Sequence, residues 1–211
     1  LKYLELKNST KECKRLIFIL HGYGADANDL FSIATYWQRF LPDTFFCLPN
    51  APNICQVNAG GFEWFDLLQT NESKIINESL ASLKKLEDTI NEKINILGLG
   101  YEKLILVGFS QGTMMSIQYA IRQKNQIGGV LGYSGKIYNY QLFEKELFSK
   151  PKIKFLHGNN DEIVPVEEMH KSVDFLKKKQ FNVDYCVFDN LGHSISHDGL
   201  SKGLSFLKNI I

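Results

Sequence analysis

The chain has 211 residues, 44% of them hydrophobic and 22% charged, with a formal net charge of +1. A chain of this length buries about 70% of its unfolded surface, so it needs neither a disulfide nor a metal to hold a core. The near-neutral balance gives no single-sign field and argues against nucleic acid as a partner. No apolar run approaches the roughly 18 residues that a spanning helix requires.

Taken in order, residues 1–7 alternate apolar and charged like a strand and do not resemble a signal peptide. The run Arg15-Leu16-Ile17-Phe18-Ile19-Leu20 is continuously apolar after its first residue and stops at His21-Gly22, which predicts a buried strand. Leu30, Ile33, Ala34, Trp37, Phe40 and Leu41 follow helical spacing, with Asn28 or Asp29 as the expected cap and Pro42 as the stop. Phe45-Phe46-Cys47-Leu48 predicts the next strand. A longer helix is expected from Ile76, Leu80, Leu83, Ile90, Ile94 and Leu97, ending at Gly98. Leu104-Ile105-Leu106-Val107 predicts a central strand, and Met114, Ile117 and Ile121 the helix that follows it.

Two more strands are expected at Val130-Leu131-Gly132-Tyr133 and Ile153-Lys154-Phe155-Leu156. A helical face follows at Val166, Met169, Val173 and Leu176, then a last strand over 184–188 and a closing helix carrying Leu200, Leu204 and Leu207. Strands alternating with helices predict an α/β fold: a mostly parallel central sheet with helices on both faces, in a single domain over 1–211. The four cysteines, Cys13, Cys47, Cys55 and Cys186, are scattered with no C-x-x-C pair. They read as small hydrophobes or idle thiols, which suits a reducing cytoplasm, the expected location.

The chemistry concentrates at Gly108-Phe109-Ser110-Gln111-Gly112, a G-x-S-x-G motif between a predicted strand and a predicted helix. That context is the one a nucleophile elbow requires: a turn so tight that glycines must flank the serine. A serine hydroxyl needs a base, and in this arrangement the chain order is Ser, then Asp or Glu, then His. Asp161 follows the 153–156 strand and His193 follows the strand ending at Phe188, so both fall at the carboxyl ends of strands. Among the other histidines, His21 and His157 sit in His-Gly turns, His170 lies within a helix, and His197 is the rival to His193. Gly192 and the position ahead of the last helix favour His193. Asp161 competes with Glu162, Asp184 and Asp189, and its loop between strand and helix favours it. For the oxyanion hole, the expected donors are the backbone N–H groups of Gln111 and of Tyr23 in His21-Gly22-Tyr23-Gly24.

These residues, with Leu48-Pro49-Asn50-Ala51-Pro52, Gly61-Phe62-Glu63-Trp64-Phe65-Asp66, Gly158-Asn159-Asn160-Asp161 and Val164-Pro165, resemble the small carboxylesterase / acyl-protein thioesterase / lysophospholipase family of α/β hydrolases over most of the chain. Many relatives carry His-Gly-Leu-Gly where Tyr23 stands here. The resemblance implies an α/β-hydrolase fold and hydrolysis of carboxylic esters or thioesters through an acyl-serine, with Ser110, Asp161 and His193 as the triad and no cofactor. It implies small-molecule or lipid acyl substrates, or acylated protein, and allows a homodimer. Trp64, Phe65 and Leu67 are similar to the family's acyl-pocket lining, with core packing as an equal reading, and residues 53–74 are expected to form a short flap. Two alternatives stand beside this. One is a non-catalytic hydrolase fold serving as a binding module. The other is a dienelactone-type hydrolase, which usually carries cysteine where Ser110 stands. No phosphate loop, dinucleotide fingerprint or H-E-x-x-H occurs, so no phosphate cofactor or metal is expected.

Overall fold

The computed structural model describes residues 1–7, 10 and 12–210. Its main sheet has seven strands: β1 (Tyr3–Leu6), β2 (Arg15–Leu20), β3 (Thr44–Pro49), β6 (Leu104–Phe109), β7 (Gly129–Tyr133), β8 (Lys152–Gly158) and β9 (Val183–Phe188). A separate two-stranded hairpin is made by β4 (Asn53–Ile54) and β5 (Phe62–Glu63). The order across the main sheet is β1-β3-β2-β6-β7-β8-β9. Within this sheet β1 runs antiparallel, against β3, and the other pairings among the described residues are parallel.

The helices are α1 (Phe31–Gln38), α2 (Glu72–Leu97), α3 (Gln111–Arg122), α4 (Tyr140–Lys145), α5 (Val166–Lys178) and α6 (His197–Asn209). Strand β2 shows why the sheet strands are apolar throughout. Leu16, Phe18 and Leu20 face one core with residues of α2, α3, α4 and α5, while Ile17 and Ile19 face a second core with residues of α1 and α6. Both faces are covered, so the alternation of a half-exposed strand disappears. The edge strand β9 keeps no fully buried residue.

The topology locates the crevice. From β2 the chain moves outward through α1 to β3, then returns over α2 to β6 and proceeds the other way to β9. The order reverses between β2 and β6, which are hydrogen-bonded neighbours with Leu20 opposite Gly108. In such sheets the space beyond the carboxyl ends of the strands at the reversal is where ligands bind.

Two expectations need adjustment. Neither Asn28 nor Asp29 caps α1: the residue ahead of the helix is Leu30, without a side-chain cap. The turn before it consumes those groups instead, since Asp29 accepts the Asp26 N–H (2.9 Å) and Asp26 accepts the Asn28 N–H (2.7 Å). The 53–74 segment contains the β4–β5 hairpin and the start of α2, so it is partly regular structure. The sequence also gave no sign of α4, which has six residues. Among the described residues no helix is long and apolar enough to cross a membrane.

Candidate active site

Ser110 stands between β6 and α3 with φ 54° and ψ −116°, in the positive-φ region that a side chain rarely adopts. Such a conformation costs about 1–3 kcal/mol and persists only where its surroundings over-determine it. Here the Ser110 N–H donates to the Tyr133 carbonyl of β7 (2.9 Å), while its own carbonyl accepts from Thr113 (3.0 Å) at the start of α3. The neighbouring glycines are required by close approach. A Cβ on Gly112 would collide with the Leu20 carbonyl of β2, and one on Gly108 with the Thr113 and Gly112 backbone. The serine is 8% exposed, presented above the sheet at the N-terminus of α3.

Asp161 lies in the loop after β8, and its side chain is fully buried. Burial works to raise its pKa. Hydrogen bonds from the Val164 and Ile163 N–H groups (2.8 and 3.0 Å) and from His193 outweigh that penalty and hold the carboxyl below its ordinary value. It is therefore an anion. His193, in the loop after β9, places Nδ1 2.8 Å from Asp161 Oδ2 and 3.0 Å from Oδ1. With a carboxylate there, Nδ1 carries the proton and Nε2 is left bare to accept one. The imidazole packs on Phe109, the residue before Ser110, with ring centroids 4.8 Å apart. Asp161 and His193, singled out from the sequence, thus meet from two separate loops, and His193 reaches the residue before Ser110.

Neighbouring strands bring those loops together. Asn159 N–H donates to the Phe188 carbonyl and Asn160 N–H to the Leu191 carbonyl, each at 3.0 Å. The Asn159 side chain accepts from the Asn190 N–H (2.8 Å) and donates to Asp189 (3.0 Å). These bonds tie the Asp161 loop to the His193 loop, and sequence reasoning did not single out Asn159. The rivals lie elsewhere. His197 is exposed at the first turn of α6, Asp184 pairs with Lys154, and Asp189 is engaged by Asn159.

The turn carrying Tyr23 follows β2. Its own bonds run from Ala25 N–H to the Gly22 carbonyl (3.4 Å) and from Gly24 N–H to the Phe62 carbonyl (2.9 Å), and neither uses the Tyr23 N–H. The turn packs directly on the elbow: a Cβ on Gly22 would lie 3.3 Å from Ser110 Cβ. His21 anchors it, accepting the Ala51 N–H at Nε2 (2.9 Å), and burial holds this imidazole below its ordinary pKa. The Tyr23 hydroxyl faces Cys55 and Glu63, and burial, then those neighbours, push its pKa up. Gln111, the first residue of α3, has a backbone N–H with no intrahelical acceptor. Its side chain accepts the Trp64 N–H (3.0 Å) and donates to the Phe65 carbonyl (2.7 Å), clamping the segment after β5 to the elbow.

Of the three residues expected to line an acyl pocket, Trp64 and Phe65 are fully buried, and the Trp64 indole donates to the His21 carbonyl (3.0 Å). Leu67 is the one open to solvent, at 45% exposure. Among the described residues no group of three His, Cys, Asp or Glu side chains is placed to hold a metal ion.

A strained serine, next in the chain to a ring that packs on a histidine held by a buried carboxylate, fits a serine hydrolase. The sequence matches the phospholipase/carboxylesterase family over residues 1–211. The chain belongs to that family. It is 30% identical over 210 residues to acyl-protein thioesterase 1 of Eremothecium gossypii, covering 92% of this chain and 87% of the relative. It is 28% identical over 226 residues to acyl-protein thioesterase 1 of Saccharomyces cerevisiae, covering 97% and 96%. The crystal structure of esterase PE8 superposes with a TM-score of 0.92 at 32% identity, covering 99% of this chain and 98% of that one. The α/β-hydrolase architecture is thus that of the family's esterases.

Proposed function

We propose that this family member is a serine carboxylesterase/thioesterase in which Ser110 is the nucleophile, His193 the general base and Asp161 the residue that orients and charges the base. The observation that carries the reading is the 2.8 Å contact of His193 Nδ1 with buried Asp161, in a ring packed against the residue that precedes a strained Ser110. Ser110 Oγ attacks the acyl carbonyl carbon while its proton passes to His193 Nε2. The resulting oxyanion accepts hydrogen bonds from the N–H groups of Tyr23 and Gln111. Collapse expels the alcohol or thiol, which takes the proton from His193, and leaves an acyl-serine. Water then repeats the sequence and releases the carboxylic acid.

Relatives named acyl-protein thioesterase support an acyl ester or thioester as the substrate, with an acylated protein among the candidates. In this reading the acyl group lies along Leu67, with Trp64 and Phe65 backing the surface from the core. Four free thiols suit a cytoplasmic enzyme. A serine at position 110 disfavours the dienelactone-type alternative, and the His193–Asp161 pair packed against Phe109 disfavours a binding module. The test is hydrolysis of p-nitrophenyl esters from acetate to palmitate, with one acyl-thioester, by the native protein and by Ser110→Ala. Loss of the nucleophile should cost on the order of 10⁶ in kcat. Equal rates for the two proteins would remove Ser110 from the mechanism.

A further inference from the structure

The carboxylate of Asp161 meets a second histidine. His157, near the end of β8, lies with Nε2 3.2 Å from Asp161 Oδ2 and 2.7 Å from the Val164 carbonyl oxygen, and both side chains are fully buried. A carbonyl oxygen only accepts, so Nε2 carries the proton and donates it to the Val164 carbonyl, with the positive N–H end of the ring lying beside Oδ2 but not hydrogen-bonded to it. Nδ1 is then bare, and it is buried with no hydrogen-bond partner among the described residues. The titratable groups facing this ring are Asp161 from its own loop, His193 from the loop after β9, and His170 from α5. Burial outweighs the pull of the carboxylate and holds the ring below the ordinary histidine value, which keeps it a neutral donor near pH 7.

Each oxygen of Asp161 therefore has fixed neighbours. Oδ1 is held by the Ile163 and Val164 N–H groups, and Oδ2 lies between the rings of His193 and His157. We propose that His157 is a positioning residue of the active site: its Nε2–H, bonded to the Val164 carbonyl, holds the loop whose N–H groups grip Asp161 and places the positive edge of the ring beside Oδ2, which stabilises the carboxylate and sets the pH at which His193 becomes available as the base. This inference rests on the triad reading above. Without the positive ring edge of His157 beside Oδ2, the carboxylate is less stabilised, the protonated imidazole of His193 is held more tightly, and the acidic limb of the activity profile moves to higher pH.

The experiment compares kcat/KM against pH for p-nitrophenyl acetate in native protein, His157→Leu and His157→Gln; the glutamine amide keeps an N–H near the imidazole Nε2 position. His157→Leu should move the acidic limb up by about half a pH unit and lower the plateau roughly fivefold, with KM nearly unchanged. His157→Gln should return the limb to its native position. A purely structural role would lower activity or stability without moving the limb. As a measurement independent of any variant's folding, ¹⁵N-histidine NMR of the native protein should show His157 neutral near pH 7 with its proton on Nε2. A limb that superposes on the native one in His157→Leu, an equal shift in the leucine and glutamine variants, or a proton on Nδ1 would each overturn the inference. Native protein without Ser110-dependent turnover would instead sink the triad reading, so the two failures are distinguishable.

Discussion

At the scale of single residues, the backbone at Ser110 has angles that only its neighbours make tolerable, and those neighbours are the two glycines of the motif. Strain at this position follows from the sequence because a strand and a helix flank it with no residue to spare. Asp161 and His193 were legible for a related reason: each follows a predicted strand, and the ends of parallel strands share one edge of the sheet. His157 was read as a turn residue. Its place four residues before Asp161 was visible, but its direction depends on how the loop folds back to bring Val164 against it. Trp64 and Phe65 could not be divided between pocket and core from sequence, because an aromatic serves either use; their complete burial separates them from Leu67. At Leu67 the prediction concerns specificity. Leu67→Asp should lower kcat/KM for a palmitate ester by at least about tenfold relative to acetate, since an acyl chain gains roughly 0.8 kcal/mol per buried methylene. An unchanged ratio across the chain-length series would take Leu67 out of the acyl path.

At the scale of elements, strands were legible wherever burial on both faces made them continuously apolar, as in β2, β3 and β6. The β4–β5 hairpin was not, because two residues per strand carry no periodicity and tertiary bonds hold the pair in place. One of those ties is the Gln111 side chain. From the first position of α3 it reaches the backbone of residues 64 and 65 with one donor and one acceptor, which ties the Ser110 turn to the segment after β5. Gln111→Ala would leave the buried Trp64 N–H and Phe65 carbonyl without these partners, each a loss of about 1–3 kcal/mol. We expect a destabilisation of roughly 2–4 kcal/mol in urea unfolding, with the m-value retained. A variant with the native midpoint would show that the clamp contributes nothing.

At the scale of the whole molecule, the site occupies the point where strand order reverses, so the Tyr23 turn from β2 and the Ser110 elbow from β6 are forced side by side. That adjacency is a property of topology and could not be read from any single segment. The same loops give the fold a pH dependence. Burial holds His21 and His157 below the ordinary histidine value of 6.5 in the folded state. Below that value the unfolded chain binds more protons than the folded one, so stability is complete above about pH 6.5 and falls as the pH drops beneath it. The slope should reach at most about 1.4 kcal/mol per pH unit for each histidine. Asp161, held below the ordinary carboxyl value of 3.8, adds a separate loss only under that pH. Urea midpoints measured from pH 7.5 to pH 4.5 should decline from near 6.5 downward. A flat profile over that range would contradict the assignment of both histidines as buried and neutral.

The central claim, that Ser110 is the activated nucleophile, is tested most directly by treating the native protein with a fluorophosphonate and locating the adduct by mass spectrometry. One phosphonyl group per chain, carried on Ser110 and absent from Ser110→Ala, is the predicted result. A protein that hydrolyses esters yet carries no adduct, or carries it on another residue, would contradict the account.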